Sequence, residues 1–216
     1  MKLTILGPVI LVLSWLVAGW LQLLNPLLVP TAPGVAISVV SLIKDGPLAL
    51  DLAFSAWRTL LSFLISAVMG VAVGLLLALL PKLHEATAAL VDFFRSVPGT
   101  ALFPLFLLFF GIGDSAKVAN AVFASSLIII VNTVYGVRSV NQTRILAAKT
   151  MGASSGQIYA QVLFPSALPA IVGGLRVAVS IALIVIVVTE MFIGTEYGLG
   201  KRIFHTYQLF QIADMY

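Results

Sequence analysis

The sequence predicts an all-α integral membrane protein, and three observations carry that reading. Hydrophobic residues make up 61% of the chain and charged residues 9%, far from the roughly 25% charged of an average soluble domain. The apolar residues gather into runs of about twenty, the length at which a helix crosses a hydrocarbon core of roughly 30 Å. One mixed stretch, residues 147–165, is too polar to lie in hydrocarbon and is expected in water between two spans.

Five spans are expected within a single domain, residues 1–216. The first apolar run, Leu3 to Leu24, is longer than a signal-peptide core and no small-x-small cleavage site follows it. It reads as an uncleaved span, with a signal sequence as the alternative. Asn25-Pro26, Pro30, Pro33-Gly34 and Gly46-Pro47 then break the chain repeatedly, and Val35 to Ile43 is too short to span and is placed at the interface. A second span runs from about Leu52 to Leu80 and is ended by Pro81. Lys82 to Arg95 is expected as an amphipathic connecting helix. Pro98-Gly99 turns the chain into a third, shorter span ending near Gly111, and Gly113-Asp114 marks the next turn. The fourth span covers about Val118 to Tyr135 and the fifth about Ala170 to Ile193, with a mixed, Gly-punctuated stretch to residue 216.

The charges are twelve Lys and Arg against eight Asp and Glu, and no Cys occurs. The basic residues are scattered between apolar runs rather than clustered, so they read as topology signals and exclude a nucleic-acid partner. With the island in the cytoplasm, the N-terminus faces in, and Lys2, Lys82, Arg95, Arg138, Arg144, Lys149 and Arg176 fall on that side. Lys44, Arg58, Lys117, Lys201 and Arg202 fall outside, a division in the positive-inside direction.

In the second span Ser62, Ser66, Gly70, Gly74 and Ala78 recur every four residues. Each such step turns a helix about 40° past a full circle, so they form a slowly winding smooth stripe. Small residues let helix backbones approach closely in lipid, either within one subunit or at a seam between subunits. Ala170, Gly174, Ala178 and Ala182 make a similar stripe in the fifth span, and Glu190 lies two further four-residue steps along. An intramembrane carboxylate needs a wet cavity or a partner, which makes Glu190 a candidate for the translocation pathway or a gate. The other reading places it near the headgroups, reaching water.

Two partial motifs fail. Gly200-Lys201 has Thr195 where a phosphate-binding loop begins with Gly and Arg202 where it ends in Ser or Thr. His84-Glu85 has Ala88 where a zinc-protease motif needs its second His. Neither a nucleotide nor a metal site is expected, and with both His outside the spans an intramembrane enzyme, which needs converging nucleophile and base or metal ligands, is not the expected class.

The island begins after Asn141, a helix cap, and Gln142 to Met151 is expected as a short helix ended by Gly152. Ser154 or Ser155 caps a second short helix running to about Phe164 and stopped by Pro165. Ala147, Ala148, Gly152 and Ala153 leave its surface open to close approach by another protein.

The run Ala147-Ala148, then Gly152, then Val162-Leu163-Phe164-Pro165 resembles the signature cytoplasmic loop of permease subunits of ATP-binding-cassette importers. In that loop Glu-Ala-Ala is followed by Gly and later by Ile-x-Leu-Pro; here Leu146 stands at the Glu position. Ser55-Ala56-Trp57-Arg58, Phe94-Arg95-Ser96-Val97-Pro98, Gly111-Ile112-Gly113-Asp114 with Lys117, and Asn132-Thr133 with Gly136-Val137-Arg138-Ser139-Val140 are similar to the branch that imports nitrate, taurine, other sulfonates, bicarbonate and vitamin-like compounds.

The resemblance implies a type I importer permease fold, with either five spans or a sixth that follows residue 216, the latter being the favoured expectation. Residues 141–165 would be the ATPase-coupling segment, with Ala147, Ala148, Gly152, Ala153, Ser154 and Pro165 carrying the motif. It also implies a homodimer with a second copy, two cytoplasmic ATPase subunits that bind ATP and Mg, an extracytoplasmic substrate-binding protein, and a bacterial inner-membrane location. The chain itself would be no enzyme. A channel or facilitator working without ATP is the alternative, one that leaves the island without a purpose.

Overall fold

A computed structural model describes residues 3–21, 23, 25, 28–44, 46–192 and 195–216, with side chains from residue 6 onward. Lys2, the Pro26 break and the expected span ends at Leu24 and Ile193 lie outside the described residues. The helices are α1 (Leu3–Trp20), α2 (Ala32–Lys44), α3 (Leu48–Leu79), α4 (Pro81–Ser96), α5 (Phe103–Phe110), α6 (Asp114–Arg138), α7 (Gln142–Thr150), α8 (Ser155–Ile158), α9 (Phe164–Phe192), α10 (Leu199–Gln208) and α11 (Ile212–Met215). A 3-10 turn, Gly99–Leu102, leads into α5, and a π turn, Tyr159–Leu163, joins α8 to α9.

Among the described residues, three helical stretches are long and apolar enough to cross a bilayer: α3, α6 and the run Ser155–Phe192. They correspond to the second, fourth and fifth expected spans. The third expected span takes another form. Pro98 separates α4 from Gly99–Phe110, and the two limbs meet at 90°. At 1.5 Å per residue the second limb reaches about 18 Å, well short of a core of roughly 30 Å. It therefore makes one limb of a broken or re-entrant pair with α4, the segment expected only as a connector. Helix α1 covers Leu3–Trp20, and α2 has the sub-span length of 13 residues.

By its contacts the chain divides into two units. The larger, Ala56–Thr189, is organised around α6. Lys117, Asn120, Ser125 and Thr133 of α6 are all buried. Polar side chains in a membrane span turn away from lipid, so this helix belongs in the interior of its unit. Apolar side chains on α3 and α5 face outward instead, Val68 being 73% and Leu108 80% exposed.

Helix α3 packs on α6 in parallel. A Cβ at Gly70 would stand 2.7 Å from Ile129 Cβ, and one at Gly74 would stand 2.6 Å from Thr133 Cβ. The offset along the chain is the same in both pairs, and Ala78 joins the apolar cluster that contains Val137 one step further on. Ser62 and Ser66 are fully buried on the same stripe. Their hydroxyls donate to the Arg58 and Phe63 carbonyls of their own helix at 2.7 and 2.9 Å, which satisfies them without a partner across the interface.

Helix α9 packs on α6 in the antiparallel sense. A Cβ at Gly174 would lie 2.6 Å from Asn132 Cβ, and one at Gly136 would lie 2.8 Å from Ala170 Cβ. Further along, Ala121 of α6 clusters with Val185 and Ile186 of α9. Ala178 and Ala182 of the α9 stripe are fully buried. Both small-residue stripes thus meet α6 inside this chain, and their glycines are sites of backbone approach.

The smaller unit comprises Met1–Ser55 and Glu190–Tyr216. Trp15 Nε1 donates to the Pro30 carbonyl at 3.1 Å, holding α1 to the turn before α2. The Ser38 hydroxyl donates to the Asp214 carboxylate, joining α2 to α11.

Replacing Gly74 by Ala forces a methyl group against Thr133 and is expected to destabilise the chain by about 1–3 kcal/mol, outweighing the ~1 kcal/mol that alanine gains over glycine in a helix. Thr133→Gly removes the opposing Cβ, so it should cost less in the Gly74→Ala chain than in the native one. Thermal unfolding of the four chains in detergent measures this coupling; strictly additive losses would contradict the contact.

Candidate functional site

The expected water-facing segment is a capped helix pair. Asn141 Oδ1 accepts from the Thr143 N–H at 2.8 Å and starts α7. The helix stops because Gly152 adopts φ +82°, the left-handed region that glycine enters without cost. The Gly152 N–H then donates to the Lys149 carbonyl and the Ala153 N–H to the Ala148 carbonyl, both at 3.0 Å. These two bonds are the Schellman pattern, which uses carbonyls that a helix end otherwise leaves open.

Two residues on, Ser154 starts α8. Its Oγ accepts from the Gln157 N–H at 3.3 Å, while its own N–H donates to Gln157 Oε1 at 2.8 Å. This is a reciprocal capping box. Of the two candidate caps Ser154 is the one used, and Ser155 is the first residue of the helix.

Pro165 does not stop the second helix. Proline lacks an N–H and crowds the carbonyl four residues back. Here the preceding turn widens to π form, with the Phe164 N–H reaching the Tyr159 carbonyl. The helical run continues to Phe192, so the segment leads directly into a span.

Ala147, Gly152, Ser154 and Pro165 are exposed, and Ala148 and Ala153 are partly so. Open space surrounds the Gly152 Cα, where a Cβ would meet nothing within 4 Å. Leu146 is 60% and Met151 86% exposed. With Arg144 and Lys149 as its charged residues and no acid between 141 and 165, the segment offers a basic and apolar surface to water.

Glu190 lies elsewhere, in the smaller unit, and is fully buried. The Ser55 hydroxyl lies 2.9 and 2.7 Å from its two oxygens, and the Gly200 N–H donates to Oε2 at 3.1 Å. Ser55 Oγ also accepts from the Leu199 N–H at 2.9 Å, and Asp51 Oδ1 from the Gly198 N–H at 2.8 Å. Three successive N–H groups at the start of α10 thus meet three side chains from α3 and α9. A helix leaves its first N–H groups without internal partners, and Gly198 at the cap has no side chain to supply one. Gly198 is required by proximity, because a Cβ there would stand 2.7 Å from the Glu190 carboxyl carbon. Asp51 is also paired, Oδ2 accepting from Arg202 Nε at 2.5 Å.

Of the two conditions that admit a carboxylate at membrane depth, Glu190 meets the second: it has partners. It does not reach water in this structure. Removing a charged acceptor from a buried N–H costs about 1.5–3 kcal/mol per bond, so this cluster holds α10 firmly.

A third polar group belongs to the larger unit. Asp114 Oδ1 accepts from Arg58 Nε at 2.9 Å and Lys117 Nζ at 3.3 Å. Both cations are nearly fully buried, at 3% and 1% exposed. The sequence had placed Arg58 and Lys117 on one side of the membrane, and they share one carboxylate. Among the described residues no group of three or more His, Asp or Glu gathers to hold a metal.

The spans and this segment together define a class: a multi-span membrane protein in which two antiparallel spans are joined through an ordered, exposed helix pair. The chain belongs to the family of binding-protein-dependent transport system inner membrane components, whose pattern matches residues 70–216. The taurine transport system permease protein of Escherichia coli is 32% identical over 196 residues, covering 88% of this chain and 71% of that one. A formylaminopyrimidine transport permease protein of Halalkalibacterium halodurans is 35% identical over 136 residues, covering 63% and 54%. An inward-facing structure of the MetNI methionine ABC transporter matches with a TM-score of 0.61 at 23% identity, over 76% of this chain and 83% of that one. The fold is that of type I importer permeases.

Ser154→Ala removes one half of the capping box and is expected to weaken α8 by about 1 kcal/mol. Hydrogen exchange at the Gln157 amide should quicken about fivefold, one kcal/mol being a factor of that size, while exchange in α6 stays unchanged.

Proposed function

We propose that this chain is the membrane-spanning subunit of an ATP-driven importer, lining the path of a small solute and coupling it to a separate ATPase. The observation that supports this reading most is the segment 141–165. A connector has no need of an Asx cap, a Schellman turn and a capping box in succession. A surface that must bear force on a partner does. The taurine and formylaminopyrimidine relatives favour a sulfonate or a vitamin-precursor class of cargo.

In this reading the exposed face around Ala147, Ala148, Gly152, Ala153 and Ser154 seats in a groove of the ATPase, with Leu146 and Met151 supplying apolar contact. ATP and Mg bind to that partner, which carries out the hydrolysis. A second copy of this chain completes the path, two ATPase subunits sit in the cytoplasm, and an external binding protein delivers cargo. The segment then faces the cytoplasm, as does the N-terminus. For ATP to drive transport, the ATPase states must bind different arrangements of the spans with different free energy. The π turn before Pro165 carries a displacement of the segment straight into α9.

Gly152→Arg should abolish ATP-dependent uptake in reconstituted vesicles while the permease still inserts and folds, because a long side chain then stands in the docking face. Gly152→Asn tolerates the left-handed backbone with a small side chain and should keep most uptake. Full uptake by a correctly assembled Gly152→Arg protein would overturn the docking role. A cysteine at Ser154, in a chain without others, should crosslink to the ATPase and to no external protein.

A further inference from the structure

We propose that Asp51, Ser55 and Glu190 form a positioning triad that locks the start of α10 to α3 and α9, so that α10 moves with those helix ends as one piece. The inference rests on the importer reading and extends it, assigning Glu190 a place in the moving parts instead of the solute path. The geometry is specific. Asp51 and Ser55 stand four residues apart on α3, hence on one face, and Glu190 comes from the last turn of α9.

The three side chains take the N–H groups of Gly198, Leu199 and Gly200 in order. All three are at most 2% exposed, so water does not compete for those bonds. Two carboxylates at a helix start are also favoured by its dipole, and Arg202 one turn into α10 balances Asp51. What the triad fixes is a charged surface. Asp51 lines a cavity of about 260 Å³ together with Pro47, Glu196, Lys201, Arg202 and His205. Four of these six residues lie on α10 or in the turn leading to it, so the position of α10 sets the shape of the recess.

Pro165, at the end of the coupling segment, and Glu190 belong to the same helix, α9. A displacement of α9 therefore reaches α10 through Glu190. The triad makes the recess an output of that movement.

The test uses the assembled transporter in proteoliposomes, read by ATP-driven uptake, ATP hydrolysis and amide hydrogen exchange. In Glu190→Ala, exchange at Leu199 and Gly200 should quicken by about tenfold or more, and uptake should fall at least as far while hydrolysis continues. Glu190→Gln keeps an oxygen toward the Gly200 N–H and should retain most of both properties. In the Cys-free chain, a short bifunctional thiol reagent joining Phe54→Cys to Tyr197→Cys, whose rings stack at 5.4 Å in the native chain, ties α3 covalently to the turn that starts α10 without touching the triad. It should leave uptake intact and restore it in the Glu190→Ala background. Unchanged exchange in Glu190→Ala, or uptake blocked by the crosslink, would overturn the triad, the latter by showing that α10 must part from α3. If the unaltered assembly moved no solute, the importer reading would fail, and exchange alone would still decide the triad.

Discussion

The larger unit depends on backbone approach to α6. Lipid tails are as apolar as leucine, so no hydrophobic drive presses these helices together, and attraction must come from close packing. Glycines at 70 and 74 bring α3 against Ile129 and Thr133, and Gly174 with Gly136 brings α9 and α6 together. Because both neighbours approach so closely, α6 can bury Lys117, Asn120, Ser125 and Thr133 away from lipid. A bulkier stripe would leave gaps between the helices and expose these groups.

This packing also frames the exposed segment 141–165. It hangs between α6 and α9, two antiparallel helices held at backbone distance, and local caps tie both ends of α7 and the start of α8. Nothing in it is slack: Asn141, Gly152 and Ser154 each satisfy backbone groups that would otherwise be open. The π turn stands where Pro165 would otherwise interrupt the path into α9. Leu146 occupies an exposed site, so the loss of a carboxylate there leaves no buried partner without its bond.

Much of this was legible in the sequence because the signals are short. The four-residue period of Ser62 to Ala78 defines one face of a helix whatever surrounds it, and Asn141, Gly152 and Ser154 act on groups two to four residues away. Where reading by composition went astray, proline was the reason. Pro98 made a broken pair out of an expected connector and an expected span, and Pro165 was absorbed by a widened turn that no residue pattern announces. The role of Asp51 leaves no mark in the sequence. Its i, i+4 relation to Ser55 was there to be seen, but nothing marked that face as an acceptor site.

From residues alone came the membrane class, the positions of the long helices, the close-packing stripes and the capped segment, since each follows from periodicity or from bonds that span a single turn. Only the tertiary structure decided that α6 receives both stripes, and that Glu190 caps α10 together with Asp51 and Ser55. The bonds from Gly198 to Asp51 and from Leu199 to Ser55 join residues 147 and 144 positions apart. A carboxylate at membrane depth announces by its cost that it has a partner; which partner depends on helices that the chain brings together only once it has folded.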